Sequence, residues 1–140
     1  MVSRDHIASV LHQLNAAEND RPTSTVEATS ARIDKLMAPD VHGWRAGVVV
    51  PDRAAERENE RLGFGALKDY HRDFDQMIID PPMACINWTI RGSFNGKAVV
   101  APGASIFRFN DDGLIDILDY SLWLREADSR AGAGRPDMFR

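Results

Sequence analysis

The feature that most constrains this chain is the dipeptide Asn95-Gly96, set between two long runs rich in β-forming residues, Met83 to Phe94 and Lys97 to Phe109. Both turn residues tolerate the positive φ of a type I′ turn, so the stretch predicts a long hairpin. In its first arm Ala84, Ile86, Trp88 and Ile90 alternate with Cys85, Asn87, Thr89 and Arg91. The apolar set should face helices, and the semi-polar set should face a convex surface or a partner. Pro102-Gly103 suggests a bulge or bend in the second arm. Asp111-Asp112-Gly113 marks another turn, and Leu114 to Leu124 reads as a final strand. Met77 to Asp80 is a short β-like run stopped by Pro81-Pro82. Together these predict a four-strand antiparallel meander.

The first half reads differently. Ile7, Val10, Leu11 and Leu14 form one stripe of a helical period, with Ser3 as N-cap and Asn19 to Pro22 as the stop. Ser24 and Glu27 have capping-box spacing, so a second helix should start there, with Val26, Ile33, Leu36 and Met37 on one face and Pro39 closing it. Val41 to Val50, interrupted by Gly43 and Gly47, reads as an irregular strand. Pro51 to Phe74 reads as helix in two parts. The first, Asp52 to Arg61, spaces Arg53, Arg57 and Arg61 by four beside Glu56 and Glu60, the pattern of a solvated face with weak ion pairs. The second, Ala66 to Phe74, puts Leu67, Tyr70 and Phe74 on one side. Helices first and strands later indicate an α+β fold, with three N-terminal helices packed against one face of a curved antiparallel sheet.

The length of 140 residues fits one domain, 1–124, followed by a polar tail, 125–140. Hydrophobic residues make up 44%, enough for a core. With 17 basic and 21 acidic residues, the net charge of −4 gives no electrostatic reason to expect nucleic acid or an anionic membrane. No apolar stretch is long enough to span a bilayer. Polar Ser3 to His6 stand where a signal peptide would need an apolar run, so a cytoplasmic protein is expected. The single cysteine, Cys85, excludes an internal disulfide and a cysteine-rich zinc site. No histidine pair has metal-ligand spacing and no H-E-x-x-H occurs, so no metal is expected. There is no P-loop, Rossmann fingerprint or G-x-S-x-G, and no cofactor is expected.

Three stretches, GALKDYHRDF (65–74), INWTIRGSFNGK (86–97) and GASIFRFNDDGLI (103–115), resemble the SnoaL-like, polyketide cyclase-like group of the nuclear transport factor 2-like superfamily. Trp88, Thr89, Gly92, Gly96, Phe107, Phe109, Asp112, Gly113 and Ile115 match its two hairpin motifs, with one extra residue at the second turn. The resemblance implies a cone-shaped, cystatin-like α+β roll whose wide end opens into a pocket for a small hydrophobic ligand. It also implies a homodimer through the sheet face. The fold hosts several chemistries, so fold alone does not assign one.

The resemblance further implies a general base late in the last strand, the role open to Asp119. The family pattern reads tryptophan-aspartate where this chain reads Asp119-Tyr120. A one-residue shift flips the side chain to the other face, so either a bulge restores Asp119 or Tyr120 is the pocket residue. Asp116 could share a face with Leu118, Tyr120 and Leu122, against Ile115, Ile117, Asp119, Ser121 and Trp123, and periodicity does not separate the two. His42 lies where the family's first strand lines the pocket mouth and could act as acid or base, with Trp44 as a flat wall. Trp88, Tyr70 and Trp123 complete the aromatic candidates for substrate binding. His71 reads as structural or exposed. No strand carries an Arg-x-Asp arrangement, so the epoxide-hydrolase branch is not supported. Two functions follow: a cofactor-independent isomerase, cyclase or lyase acting on a hydrophobic carbonyl compound, or a binding domain with the same pocket. A purely structural interaction protein is a third.

Overall fold

A computed structural model of the chain describes residues 1–122. Trp123, the end of the expected final strand and the tail 125–140 lie outside them. Helix α1 (Arg4–Asn19) starts where Ser3 Oγ accepts a hydrogen bond from the His6 backbone N–H. Ile7, Val10, Leu11, Leu14 and Ala17 are buried along it. Large apolar side chains such as these contribute about 1.5–3 kcal/mol each when buried. Glu18 lies buried at the end of the same helix.

A 3₁₀ turn, Arg21–Thr23, follows and takes Ser24 as its own C-cap. Helix α2 (Val26–Asp34) therefore starts one residue later than the Ser24–Glu27 spacing predicts, with Thr25 accepting from the Ala28 N–H. It also ends before Pro39, which lies in strand β1 (Met37–Arg45). Pro39 falls where the pairing of β1 is irregular, the place where a missing N–H costs least. Strand β2 (Val48–Val50) and helix α3 (Arg53–Gly63) come next, α3 capped by Asp52.

Of the region read as a second helical part, Ala66 to Phe74, all from Lys68 onward belongs instead to strand β3 (Lys68–Asp80). Tyr70 and Phe74 are four apart, a spacing that satisfies a strand's period of two as well as a helix's. The alternation is also broken: Phe74 pairs with Trp88 and Gln76 with Asn87, which leaves Asp75 as an extra residue. Tyr70, Arg72 and Phe74 point inward before this bulge, and Met77 and Ile79 after it.

Strands β4 (Met83–Phe94), β5 (Lys97–Phe109) and β6 (Ile115–Leu122) complete a curved, open sheet of six strands, ordered β2-β1-β6-β5-β4-β3. The Asn95-Gly96 turn has φ of 50° and 75°, as its sequence predicts. Pairing of β4 with β5 continues through Pro102 and Gly103 without a bulge. Gly103 is required for another reason. A Cβ there would lie 2.2 Å from the Trp88 ring, which covers this strand. In β6 the extra residue is Asp116: Ile115 pairs with Phe109, but Ile117 pairs with Arg108. Beyond that bulge Leu118 is buried, while Asp119 pairs with the exposed Ile106. Asp116 itself accepts two hydrogen bonds from Arg108, at 2.9 and 3.0 Å. The three helices close one face of the sheet, α1 over β3 and α3 over β1.

Candidate functional site

A cavity of about 300 Å³ lies between the inner sheet face, the end of α1 and α3. One side of it is apolar: Leu14, Met37, Ile90, Ala101, Phe107 and Leu118. The other side is ionic, and its charged groups come from five separate elements. Glu18 ends α1, Arg21 opens the 3₁₀ turn, Arg45 ends β1, and Glu56 and Glu60 sit on α3. Arg72 reaches in from β3.

Helix α3 has no apolar face. Leu62 is exposed, and its buried side chains are Glu56 and Glu60. The four-residue charge spacing thus holds two faces, not one solvated face. Arg53 and Arg57 turn to Asp34, and Arg61 to Glu58, at the surface. The two glutamates turn inward onto arginines. Arg45 is bracketed by Glu56, which takes its Nε–H at 2.9 Å, and by Glu60 at 3.3 Å. Arg21 is bracketed by Glu60 at 2.6 Å and by Glu18. An arginine between two carboxyls is therefore present twice, assembled from separate elements and not from one strand.

These surroundings separate the two neighbouring acids. Burial, and then the nearby Glu60 charge, push the Glu18 carboxyl up to about 8. Burial would push Glu60 up as well, but the Arg21 and Arg45 guanidiniums and the hydrogen bond from Glu18 hold it below the usual carboxylate range. Near neutral pH Glu18 carries the proton and Glu60 the charge. Two carboxyls driven apart in this way form an acid–base pair. Burial also raises the Tyr70 and Tyr120 phenols, which remain neutral donors. Arg21 stacks on the Tyr70 ring at 4.7 Å and Arg45 on the Tyr120 ring at 4.6 Å.

Of the residues singled out from the sequence, Tyr70 and Tyr120 line the cavity. Trp88 lies one layer behind, stacked on Tyr120 with ring centroids 4.8 Å apart, and its indole N–H donates to Ser105 Oγ at 2.9 Å. Asp119 and His42 are not among the lining residues. Asp119 sits opposite Trp44 and Ile106, both exposed on the outer face, so Tyr120 and not Asp119 faces inward. His42 is exposed and donates its Nδ1–H to the Asp40 carbonyl. Trp44 is likewise outside the cavity. Trp123 lies outside the described residues. His71, in β3 and not in a helix, is exposed beside Asp73. No cluster of histidine, cysteine and acidic side chains suited to a metal occurs among the described residues. None of their helices is long and apolar enough to cross a membrane.

Glu18, Glu60, Arg21, Arg45 and Arg72 were not singled out from the sequence. A signal existed for two of them. Glu18 continues the buried stripe of α1 four residues after Leu14, and Arg72 sits between Tyr70 and Phe74 on the inward face of β3. A charged side chain on a buried face is the mark of a site.

The model of the SnoaL-like domain family matches residues 11–116. No curated protein matches the sequence. Among solved structures, the chain is similar to a nuclear transport factor 2-like protein of unknown function from Exiguobacterium sp. 255-15, at 19% identity and TM-score 0.70, covering 81% of this chain and 97% of that one. It is similar to the epoxide hydrolase/cyclase-like enzyme SalBIII of salinomycin pyran ring formation, at 15% identity and TM-score 0.70, covering 87% and 94%. It is also similar to an epoxide hydrolase from M. tuberculosis, at 11% identity and TM-score 0.65, covering 84% and 83%. At these identities the likeness is one of fold.

Proposed function

Because the chain belongs to the SnoaL-like domain family, we propose that its cavity performs cofactor-independent acid–base chemistry, of isomerase, cyclase or lyase type, on a small hydrophobic carbonyl compound. The observation that carries this reading is the Glu18–Glu60 pair, two buried carboxyls that share Arg21 at the edge of an apolar chamber, one pushed up by burial and the other held down by its arginines. A group that titrates near ambient pH is the most effective proton carrier. As pH approaches about 8, Glu18 releases its own proton to solvent, and the carboxylate so formed takes a proton from the carbon α to the carbonyl. The C–H electrons move into an enolate, and the Tyr70 or Tyr120 hydroxyl donates to the enolate oxygen. The proton on Glu18 then returns to the same or another carbon, and the apolar wall keeps water from competing.

The test uses benzylideneacetone, an apolar methyl ketone, in heavy water. Proton NMR should show enzyme-accelerated loss of the methyl signal, and Glu18→Gln should slow it by about 100-fold or more. A ketone that binds without exchanging its protons would instead make this a binding domain.

The same reading includes a second copy on the outer sheet face. Val49, Trp44, Asp119, Ile106, Cys85 and Ile78 stand opposite one another across all six strands. Trp44 is 43%, Ile106 44% and Ile78 67% exposed. Five of these six side chains are apolar or weakly polar, with Asp119 the exception, and such a row on an open face is the kind of surface a partner covers.

A further inference from the structure

We propose that the molecules taken by this cavity are apolar carboxylates, with Arg72 as the anion anchor. The inference rests on the ligand-pocket part of the reading above, but not on its proton transfer. Arg72 is 5% exposed and lines the cavity. Its backbone is fixed to α1 from both sides: Asn19 Oδ1 accepts from the Arg72 N–H at 2.7 Å, and Asn19 Nδ2 donates to the Arg72 carbonyl at 2.9 Å. Its Nε–H donates to Asn15 Oδ1 at 2.8 Å, which orients the guanidinium. The Phe74 ring lies 5.3 Å from the guanidinium carbon.

Nη2 of this guanidinium is buried with no hydrogen-bond partner. None of the ion pairs among the described residues includes Arg72. Arg21 also has a buried Nε without a hydrogen-bond partner, but it and Arg45 are each held between two carboxyls, as Arg72 is not. The charge of Arg72 reaches Glu18 and Glu60 only from beyond ion-pair distance, and its Nη2 remains a buried donor without an acceptor, which is costly. That cost is met by one planar anion that presents an oxygen to Nη2. The charge balance agrees. Three arginines and three glutamates line the cavity, and with Glu18 holding its proton one positive charge is left over. The opposite wall is apolar, so the molecule that carries the anion has an apolar body. A volume of about 300 Å³ limits that body to a small one, at the low end for ligand pockets.

The experiment compares cinnamate with benzylideneacetone, its near-isosteric neutral methyl ketone, by calorimetry and thermal melting. The wild-type protein should bind cinnamate about tenfold or more tightly than the ketone. In Arg72→Met the ratio of the two affinities should fall to near unity, and Arg72→Lys should restore part of it. If Arg72→Met does not fold, the melts of wild type and Arg72→Lys decide: cinnamate should raise the melting temperature more than the ketone does, and less so in the lysine variant. Equal binding of acid and ketone overturns the proposal, as does an acid preference that survives Arg72→Met or failure of both probes to bind at millimolar concentration. A stabilisation by inorganic phosphate equal to that by cinnamate also overturns it, because the site then takes a free anion only. Proton exchange of the ketone without acid preference removes the anchor alone. Acid preference without exchange removes the proton-transfer reading alone.

Discussion

The guanidinium carbon of Arg45 lies 4.6 Å from the centre of the Tyr120 ring, and that ring also stacks on Trp88. The same guanidinium grips Glu56 and Glu60 on α3. Arg45 therefore ties the helix that covers the cavity to the aromatic stack behind it.

Arg45→Met should remove that tie and leave Glu56 buried without its partner. Breaking a buried pair from one side costs about 3–5 kcal/mol. Urea unfolding should read a loss of that order, and Arg45→Met/Glu56→Leu together should recover most of it. A loss of the same size in the double variant would show that the ion pair is not what docks the helix.

Stability should fall as pH rises through neutrality. The Glu18 proton is held up to about 8 in the folded chain, against an ordinary 4.5 when unfolded. Below the ordinary value both states carry the proton. Between the two values only the folded state does, so the contribution present in acid is lost as pH climbs toward 8. Glu60, held low, has the opposite sign, and its contribution is lost as pH falls. Urea midpoints from about pH 5 to about pH 9 should decline in wild type and flatten in Glu18→Gln.

Gly103→Ala should disturb the site from behind. Its Cβ would fall 2.2 Å from Trp88 Cη2 and 2.5 Å from the Ser121 carbonyl. The ring has to move, and Tyr120 rests on it. A cost of about 1–3 kcal/mol is expected, with a changed tryptophan emission spectrum. Thermal melting and fluorescence check both.

Ile106→Lys should act on the outer face alone. The wild-type chain is expected to sediment as a dimer and the variant as a monomer, with ketone exchange retained. A monomeric wild-type protein would remove the reading of that face.

The hairpin, the Ser3 cap and the inward set of β4 are legible in the sequence because each is local: a turn dipeptide, a cap and an alternation. Residues 66–74 are not, because Tyr70 and Phe74 fit two periods at once and Asp75 breaks the strand pattern that would decide between them. The site is less legible still. Glu56 and Glu60 sit among arginines at salt-bridge spacing, which reads as surface until β1 and the 3₁₀ turn supply the arginines that bury them. The facing of β6 turns on the single extra residue at Asp116, and no periodicity can place a bulge.

Helix α3 is fastened by the same carboxyls that set the protonation of the site. Its docking and the chemistry beneath it therefore cannot drift independently. A substitution that retunes Glu60 for a different ligand also loosens the helix, and one that improves the docking with an apolar side chain erases the charge. A new specificity should therefore be easier to engineer by paired changes, a carboxyl together with its arginine, or by remodelling the apolar wall opposite, which carries no such double duty.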